Sequence, residues 1–286
     1  MNLTSPSQVK AWCIENDFHP NKVLGQNFLI DRNALVSIVD AGLAGADAAG
    51  AEVLEIGPGL GVLTEEMLSR GCSVTAVEKD PVLAARLAES LGNPPRLRVV
   101  AGDALDFIAS APKQPGSGSP IHHSSFIIHN FTHMISNLPY QAGTRILLEL
   151  VQAREIPSMT VLVQTEVAER LAAKEGSKTR GLAGVWAQLD YDVRIVRKVA
   201  ASCFWPRPEI GSSVVTLTRH DRNVALSERE RAVFRRLTKK AFEHRRKQLG
   251  SVFKDLIQSQ LRAEQLANED WINLSKGIAE NAEEDS

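Results

Sequence analysis

The chain has 286 residues, 43% of them hydrophobic, and a formal net charge of −1, which suits one large domain plus a small one and argues against a protein that is basic all over. Its three cysteines, Cys13, Cys72 and Cys203, lie far apart with no paired spacing, which is typical of reduced core residues and not of a disulfide framework or a zinc site. Because no segment resembles a secretory signal or reaches roughly 18 consecutive apolar residues, we expect a cytoplasmic protein that makes no membrane contact.

Short apolar runs alternate with helical patterns from Ala51 onward. The predicted strands are AEVLEIG, SVTAVEKD, LRVVAGDAL, a stretch within FIIHNFTHMISN, and SMTVLVQTE. The helices LTEEMLSRG, PVLAARLAESLG and AGTRILLELV lie between them. This alternation predicts an α/β fold with a mostly parallel sheet and helices on both faces. Ligands of such sheets bind at the carboxyl ends of the strands.

The remainder of the chain divides into an insertion, a last strand and a helical tail. Residues Ala109–Ser125 are rich in Pro, Gly and Ser, which predicts a flexible surface insertion. GSSVVTLTR is the last predicted strand, and Ser227 with Glu230 forms a capping box that opens a helical region. We therefore predict a sheet domain over residues 1–222 and a small all-helical domain over 223–286. From Glu264 onward there are seven acids and one lysine, which predicts a partly disordered acidic tail.

A glycine-rich loop follows the first strand of the predicted sheet. EVLEIGPGLGVLT places Gly57, Gly59 and Gly61 between a strand and a helix, where glycine allows a sharp turn and a close approach to a ligand. A dinucleotide fingerprint would have its third glycine at Val62. The loop therefore favours a nucleoside ligand without a pyrophosphate and disfavours a nicotinamide oxidoreductase.

Two carboxylates end the next two predicted strands. Glu78 lies about 20 residues beyond the glycine loop, where an acid accepts hydrogen bonds from ribose hydroxyls. Asp103 ends the third strand, where it can accept from an adenine amino group. Either acid alone could be a solvated strand end, but together with the glycines they indicate a nucleoside site.

The segment ISNLPYQAG follows the fourth predicted strand. The exocyclic N6 of adenine is a poor nucleophile, because its lone pair is delocalised into the ring, but acceptors for both N6 protons encourage it to pyramidalise. The Asn137 side-chain oxygen and the carbonyl of Leu138 or Pro139 can be those acceptors, and Tyr140 offers a stacking face worth roughly 1–3 kcal/mol. The alternative is a turn in which Asn137 caps the helix that starts near Ala142. The position at a nucleoside site favours the catalytic interpretation.

Several motifs together resemble one enzyme family. They are LGQNFLID, EIGPGLGVLT, VEKD, GDAL, NLPY, VQTEVAERL, FWPRPEIGSSVVTL and AFEHRRKQLGSVF, in this order, between about Lys22 and Phe253. The chain resembles the ribosomal RNA adenine dimethyltransferases of the KsgA type, which are class I enzymes that use S-adenosyl-L-methionine as methyl donor.

The resemblance implies a Rossmann-like class I methyltransferase sheet, followed by a small helical RNA-binding domain. It implies dimethylation of two adjacent adenosines near the 3′ end of small-subunit (16S) rRNA by a monomer that acts on the immature 30S subunit. The implied donor contacts are Asn27, Leu29, Gly57, Glu78, Asp103 and Asn137. The residues implied at the target adenine are Asn137, Leu138, Pro139 and Tyr140, with Phe204 on the other face of the base.

Basic residues are concentrated between Arg231 and Lys247, a stretch that contains eight of them and a single acid, Glu243. Arg236, Lys240 and Lys247 are predicted to share one helical face opposite Phe234, Leu237 and Ala241. Together with Arg245 and Arg246 they are the candidate RNA contacts. A solvated helix face is the alternative. Arg194, Arg197, Lys198 and Arg207 add positive charge near Phe204.

Other interpretations stay open at this point. The same chemistry could act on 23S rRNA or DNA adenine, or the chain could be an assembly factor without catalysis. The histidines at 122, 123, 129 and 133 straddle a loop and a strand, so we expect no metal site. Trp12, Trp186 and Trp271 are predicted to pack in the protein interior.

Overall fold

The computed structural model describes residues 1–110, 130–223, 226–254 and 257–284. Most of the predicted insertion at Ala109–Ser125 lies outside this range, as do His122, His123 and His129. By compactness the chain forms two units. The first comprises Met1–Thr165 and Arg194–Thr218, and the second comprises Glu166–Val193 and Arg219–Ser286.

A seven-stranded sheet organises the first unit, in the order β4-β3-β2-β5-β6-β9-β7. The pairs β2–β3, β3–β4, β2–β5 and β5–β6 are parallel, whereas β9 runs antiparallel to β6. The predicted mostly parallel sheet with flanking helices is thus confirmed, as a mixed sheet. Its strands are β2 (Glu52–Ile56), β3 (Ser73–Glu78), β4 (Leu97–Ala101), β5 (His133–Asn137), β6 (Ser158–Gln164), β7 (Tyr191–Val199) and β9 (Ser212–Arg219).

The helices of the first unit begin at residues suited to helix starts. Asp31 and Asp80 accept backbone N–H bonds at the N-termini of two of them, and Pro81 occupies a first-turn position, where its missing N–H costs nothing. The unit contains α1 (Pro6–Glu15), α2 (Arg32–Gly42), α3 (Val62–Ser69), α4 (Pro81–Ser90), α5 (Ala104–Ala109) and α6 (Gly143–Ala153).

A second, two-stranded sheet joins the segment before α2 to the segment before β9. Strand β1 (Phe28–Leu29) pairs antiparallel with β8 (Phe204–Trp205), so that Leu29 lies opposite Phe204. Both residues are buried in the core of the first unit. This pairing anchors the LGQNFLID motif.

The second unit is helical around its own core, which includes Trp271, Phe234 and Leu237. The predicted capping box at Ser227 and Glu230 opens its helix α9. The helices are α7 (Thr165–Ala172), α8 (Leu182–Asp190), α9 (Glu228–Glu243), α10 (Leu249–Phe253) and α11 (Asn268–Glu284). The predicted domain boundary at residue 222 stays a prediction. The second compact unit begins near it, at Arg219, but also includes Glu166–Val193.

Two expectations for the second unit are corrected. The acidic C-terminal stretch was predicted to be partly disordered, yet it forms α11, because Trp271 is fully buried and anchors the helix to the core. Lys247 was predicted to share a helical face with Arg236 and Lys240, but α9 ends at Glu243 and Lys247 lies beyond it. The predicted inward face of α9 is confirmed by the burial of Phe234, Leu237 and Ala241.

The predicted packing of the three tryptophans agrees with the contacts. Trp12 lies against Phe18, and Trp186 donates its indole N–H to Thr238 Oγ1 at 2.9 Å. Within the described ranges, no helix is both long enough and apolar enough to cross a bilayer.

Candidate active site

A cleft of about 450 Å³ opens at the carboxyl ends of β2, β3, β4 and β5. All of the predicted donor contacts line it, together with Leu138, Pro139 and Tyr140. Strand ends far apart in sequence meet here because neighbouring parallel strands end at the same sheet edge. The volume is typical of pockets for small ligands.

The glycine loop forms one wall of this cleft through positive φ angles. Gly57 has φ +68°, and a Cβ built there would lie 3.7 Å from Pro139 Cδ. Gly59 has φ +59° and donates its backbone N–H to Glu78 Oε2 at 3.1 Å. L-residues with side chains rarely adopt such angles, so the loop requires glycine to bring β2, Glu78 and Pro139 together.

The Glu78 carboxylate is held by two backbone donors. Oε2 accepts from Gly59, and Oε1 accepts from Asp80 N at 2.8 Å. Burial raises the pKa of Glu78, and the two N–H bonds offset part of that rise. Each oxygen keeps a lone pair, which allows the group to accept two hydroxyl protons at once.

Asp103 carries more partners than the sequence indicated. Its Oδ1 accepts from Leu105 N at 2.8 Å, as the N-cap of α5, and its Oδ2 accepts from Lys79 Nζ at 2.8 Å. The Lys79 ammonium is the main reason that the pKa of Asp103 is lowered, so the carboxylate is ionised at neutral pH. A carboxylate has about four acceptor positions, so acceptor capacity remains for an amino group. Lys79, also at the cleft, was not predicted.

The orientation of the Asn137 side chain follows from one contact. Its Nδ2 lies 3.1 Å from the backbone oxygen of Asn27. A carbonyl oxygen can only accept, so the amide must present its NH₂ to Asn27, which leaves Oδ1 as an acceptor. Helix α6 begins at Gly143 without a side-chain cap, which overturns the alternative that Asn137 caps it.

The backbone carbonyls that follow Asn137 are not equivalent. Pro139 O accepts from Gly143 N at 2.7 Å. Leu138 N donates to Leu162 O at 3.1 Å, and within the described residues no hydrogen bond reaches Leu138 O. Of the two carbonyls left open by the sequence, that of Leu138 is therefore the available acceptor beside Asn137 Oδ1.

The Tyr140 ring is fixed at both ends. A Cβ at Gly25 would lie only 3.2 Å from Tyr140 N, so the backbone of the tyrosine packs closely against that glycine. The hydroxyl forms a 2.6 Å hydrogen bond with the hydroxyl of Ser212, which is buried at the start of β9. Burial raises the pKa of Tyr140, so the phenol stays neutral at physiological pH. Ser212 was not predicted.

Phe204 is not brought to the cleft. Its side chain is 2% exposed in the core of the first unit, opposite Leu29 in the β1–β8 pair. The residue does not line the cleft, so this placement does not favour the predicted stacking on an adenine.

A third acid at the cleft, Glu55, was missed. It is fully buried near the end of β2, and its Oε2 accepts from Thr64 Oγ1 at 2.6 Å. Burial raises the pKa of Glu55 to about 8, so the group is largely protonated at neutral pH. The signal was in the sequence, because a carboxylate between Leu54 and Ile56 in a parallel strand must be buried.

The segment before β1 links two loops of the cleft. Gln26 Nε2 donates to Asp80 Oδ2 at 2.8 Å, and the backbone N–H of Asp80 donates to Glu78. The backbone oxygen of the neighbouring residue, Asn27, accepts a hydrogen bond from the Asn137 side chain. The LGQNFLID motif thus positions the loop after β3 and the loop after β5 relative to each other.

The candidate RNA contacts of the second unit differ in their surroundings. Arg236, Lys240, Arg246 and Lys247 are exposed. Arg245 is half-buried, donates to Lys178 O and lies 3.6 Å from Glu264 Oε2. Arg231, which contributed to the basic count, is 1% exposed and pairs with Asp190 through both carboxylate oxygens. It is a structural residue.

Of the four histidines at 122, 123, 129 and 133, the structure describes His133. It is half-buried, and burial lowers its pKa. The part of the chain that the structure describes holds no group of three or more His, Cys, Asp or Glu side chains placed to bind a metal.

Comparison with known proteins identifies relatives along most of the chain. A family model described as ribosomal RNA adenine dimethylase matches residues 17–285. The ribosomal RNA small subunit methyltransferase A of Deinococcus radiodurans is 44% identical over 215 residues, which cover 75% of this chain and 67% of that protein. The protein of that name from Moorella thermoacetica is 37% identical over 252 residues, with coverage of 86% and 83%.

Solved structures share the fold. A dimethyladenosine transferase from Plasmodium falciparum superposes with a TM-score of 0.68 at 19% identity, covering 89% of this chain and 98% of that one. The 23S rRNA methyltransferase ErmE gives a TM-score of 0.62 at 22% identity, covering 87% and 98%. At these identities the similarity concerns the fold alone.

Proposed function

The chain belongs to the ribosomal RNA adenine dimethylase family, and on that premise we propose that it transfers methyl groups from S-adenosyl-L-methionine to N6 of two adjacent adenosines near the 3′ end of 16S rRNA. Family membership removes the nicotinamide oxidoreductase alternative. The observation that carries the proposal is the pair of available acceptors, Asn137 Oδ1 and Leu138 O, beside the glycine loop.

The residues of the cleft fit the methyl donor. Glu78 has acceptor capacity for both ribose hydroxyls, and ionised Asp103 has it for the adenine amino group of the donor. Gly57, which abuts Pro139, leaves room for a ligand beside the backbone. Asn27, Leu29 and Asn137 complete the proposed donor contacts. When bound, the donor supplies an electrophilic methyl carbon.

The chain's own residues prepare the acceptor nitrogen. In the first transfer Asn137 Oδ1 and Leu138 O accept hydrogen bonds from the two N6–H groups, which reduces delocalisation of the lone pair into the ring. One N–H remains for the second transfer, and each transfer releases one N6 proton and S-adenosylhomocysteine. Both oxygens are held in place, because Asn137 Nδ2 binds Asn27 and Leu138 N binds Leu162. Preorganised acceptors of this kind require no reorganisation during reaction. Alignment of N6 with the methyl carbon supplies further acceleration.

Tyr140 is the proposed platform for the extruded adenine. Its ring lines the cleft and is anchored through Ser212. Stacking on an aromatic ring contributes roughly 1–3 kcal/mol per base. Pro139 keeps the turn between Leu138 and Tyr140 rigid through its fixed φ. The placement of Phe204 makes it a support for β1 in this proposal.

The exposed cations of the second unit are the proposed phosphate contacts. They are Arg236 and Lys240 on α9, and Arg246 and Lys247 beyond its end. Arg245 has a carboxylate and a carbonyl as partners, so its proposed role is to hold this turn in shape.

The physical substrate in this proposal is the immature 30S subunit, and the enzyme acts on it as a monomer in the cytoplasm, where subunits are assembled. Light scattering coupled to size exclusion tests the monomer directly. A dimer mass would correct this part alone.

The decisive experiment is incubation of immature small subunits with labelled S-adenosylmethionine, followed by mass-spectrometric mapping of the modified nucleotides. We expect label on two adjacent adenosines near the 3′ end of 16S rRNA, and none with Asn137→Ala. Label on 23S rRNA or DNA would correct the substrate. Binding of the protein to subunits without incorporation of label would instead support the interpretation as an assembly factor without catalysis.

A further inference from the structure

Strand β7 differs from its neighbours in exposure. It forms one edge of the sheet, and its five consecutive residues 194–198 are all exposed. Alternating burial is usual for a strand with one face on a core. Here both faces reach solvent, so side chains of either orientation are accessible.

The exposed stretch is positively charged and partly apolar. Between Val193 and Pro208 the sequence has four cations and no acid. Ile195 and Val196 are 36% and 49% exposed. Within the described residues, neither Arg194 nor Arg207 forms an ion pair. We call residues 194–198 together with Arg207 the edge-strand surface.

The carboxyl-terminal end of β7 lies at the cleft end of the sheet. A Cβ at Gly211 would lie 3.3 Å from Val199 O, so the end of β7 meets the start of β9. Ser212 in turn pairs with Gln164, the last residue of β6, whose carboxyl end lies at the cleft edge of the sheet. Arg197 donates to Asn33 O at 3.1 Å, just beyond the LGQNFLID motif. The surface is therefore tied to the segment that lines the cleft.

Building on the proposed function, we propose that the edge-strand surface binds the phosphate backbone of the rRNA that flanks the target adenosine. Arginine binds phosphate oxygens in a bidentate manner, and phosphate contacts set the register of a protein on nucleic acid. The exposed aliphatic side chains can cover ribose and base edges. A protein strand is the less favoured occupant, because cations on an edge strand oppose strand addition.

The test compares Arg194→Ala/Arg207→Ala with the charge-matched Lys10→Ala/Lys174→Ala, which removes two exposed lysines elsewhere. The probe is a naked rRNA fragment carrying the 3′-terminal target region, and the dissociation constant is measured from 50 to 200 mM salt. Each lost phosphate contact lowers the salt slope by about 0.7 to 0.9. We expect the arginine variant to lose about 1.4 to 1.8 of slope, so that its affinity deficit changes roughly tenfold over this range. The lysine control should keep the wild-type slope.

Equal slopes for wild type, the arginine variant and the control would overturn the proposal. A deficit that appears only with intact subunits would also overturn it and point to a ribosomal protein. Calorimetric donor binding should be unchanged in both variants. Because RNA binding is measured without methyl transfer, failure here is distinct from failure of wild type to methylate rRNA, which would instead refute the proposed function.

Discussion

The hydrogen bond between Tyr140 and Ser212 should show an asymmetric response to mutation. Ser212 is 1% exposed, whereas the tyrosine is half-buried at the cleft, and their oxygens lie 2.6 Å apart. Tyr140→Phe leaves a buried serine hydroxyl without its partner, which costs about 1–3 kcal/mol. Ser212→Ala leaves the phenol near the open cleft, where water can replace the serine, so we expect a loss of only about 0.5–1.5 kcal/mol.

The double variant tests the interaction itself. Removing both partners of a hydrogen bond can be nearly neutral, so Tyr140→Phe/Ser212→Ala should be more stable than Tyr140→Phe alone. Urea unfolding of the four proteins measures the cycle. Additive losses would refute the reasoning, because they would mean that the two hydroxyls do not interact.

Catalysis provides the second assay of the same cycle. Freeing the ring should raise KM for rRNA by about fivefold, which corresponds to roughly 1 kcal/mol, and leave donor affinity unchanged. Either single variant should produce this rise, and the double variant should add little. A fall in donor affinity would instead place the hydrogen bond in the donor site.

Three further outcomes are expected. Asn137→Ala should lower methyl transfer by a factor of 100 or more while weakening donor binding modestly at most, as measured by label incorporation and calorimetry; wild-type activity would remove the assignment. Glu78→Ala should weaken donor affinity, since both ribose acceptors are lost, and an unchanged constant would move the donor site elsewhere. The pKa of Glu55 is raised to about 8 in the folded protein, whereas in the unfolded chain the same side chain ionises near pH 4.5. The free energy of unfolding should therefore fall as pH rises from about 4.5 to 8. Glu55→Gln should flatten that fall in urea unfolding at pH 5 and pH 8, and an equal fall in both proteins would show that other groups cause it.

The periodic parts of the fold were predictable from the sequence. Strands β2 to β6 and helices α3, α4 and α6 follow apolar runs bounded by Gly, Pro or Asp, because local patterning and burial agree there. Strand β7 was missed, since VRIVRKV has charges on both faces and no clean alternation. The acidic tail was predicted from its charge alone, although the predicted packing of Trp271 within it already favoured an ordered helix; Trp271 is fully buried in the core.

Which charged groups are available for binding could not be predicted in the same way. Arg231 and Arg245 belong to one basic run with Arg246, yet Asp190 and Glu264, their partners, lie elsewhere in the chain. Only the fold brings those acids close. Conversely, Arg194 lies in an unpredicted strand and pairs with no acid among the described residues. The number of charges follows from sequence, but their neutralisation depends on long-range contacts.

The proposed acceptors for the N6 hydrogens follow the same rule. NLPY offers two neighbouring carbonyls, and nothing in the four letters distinguishes them. Gly143 N donates a hydrogen bond to Pro139 O at 2.7 Å, and the carbonyl of Leu138 stays available. Asn27 O accepts from the Asn137 amide NH₂, so that the Asn137 side-chain oxygen is available. Both choices come from backbone groups outside the motif. The motif therefore supplies the oxygens, and the surrounding backbone determines which two of them remain available for the proposed hydrogen bonds to N6.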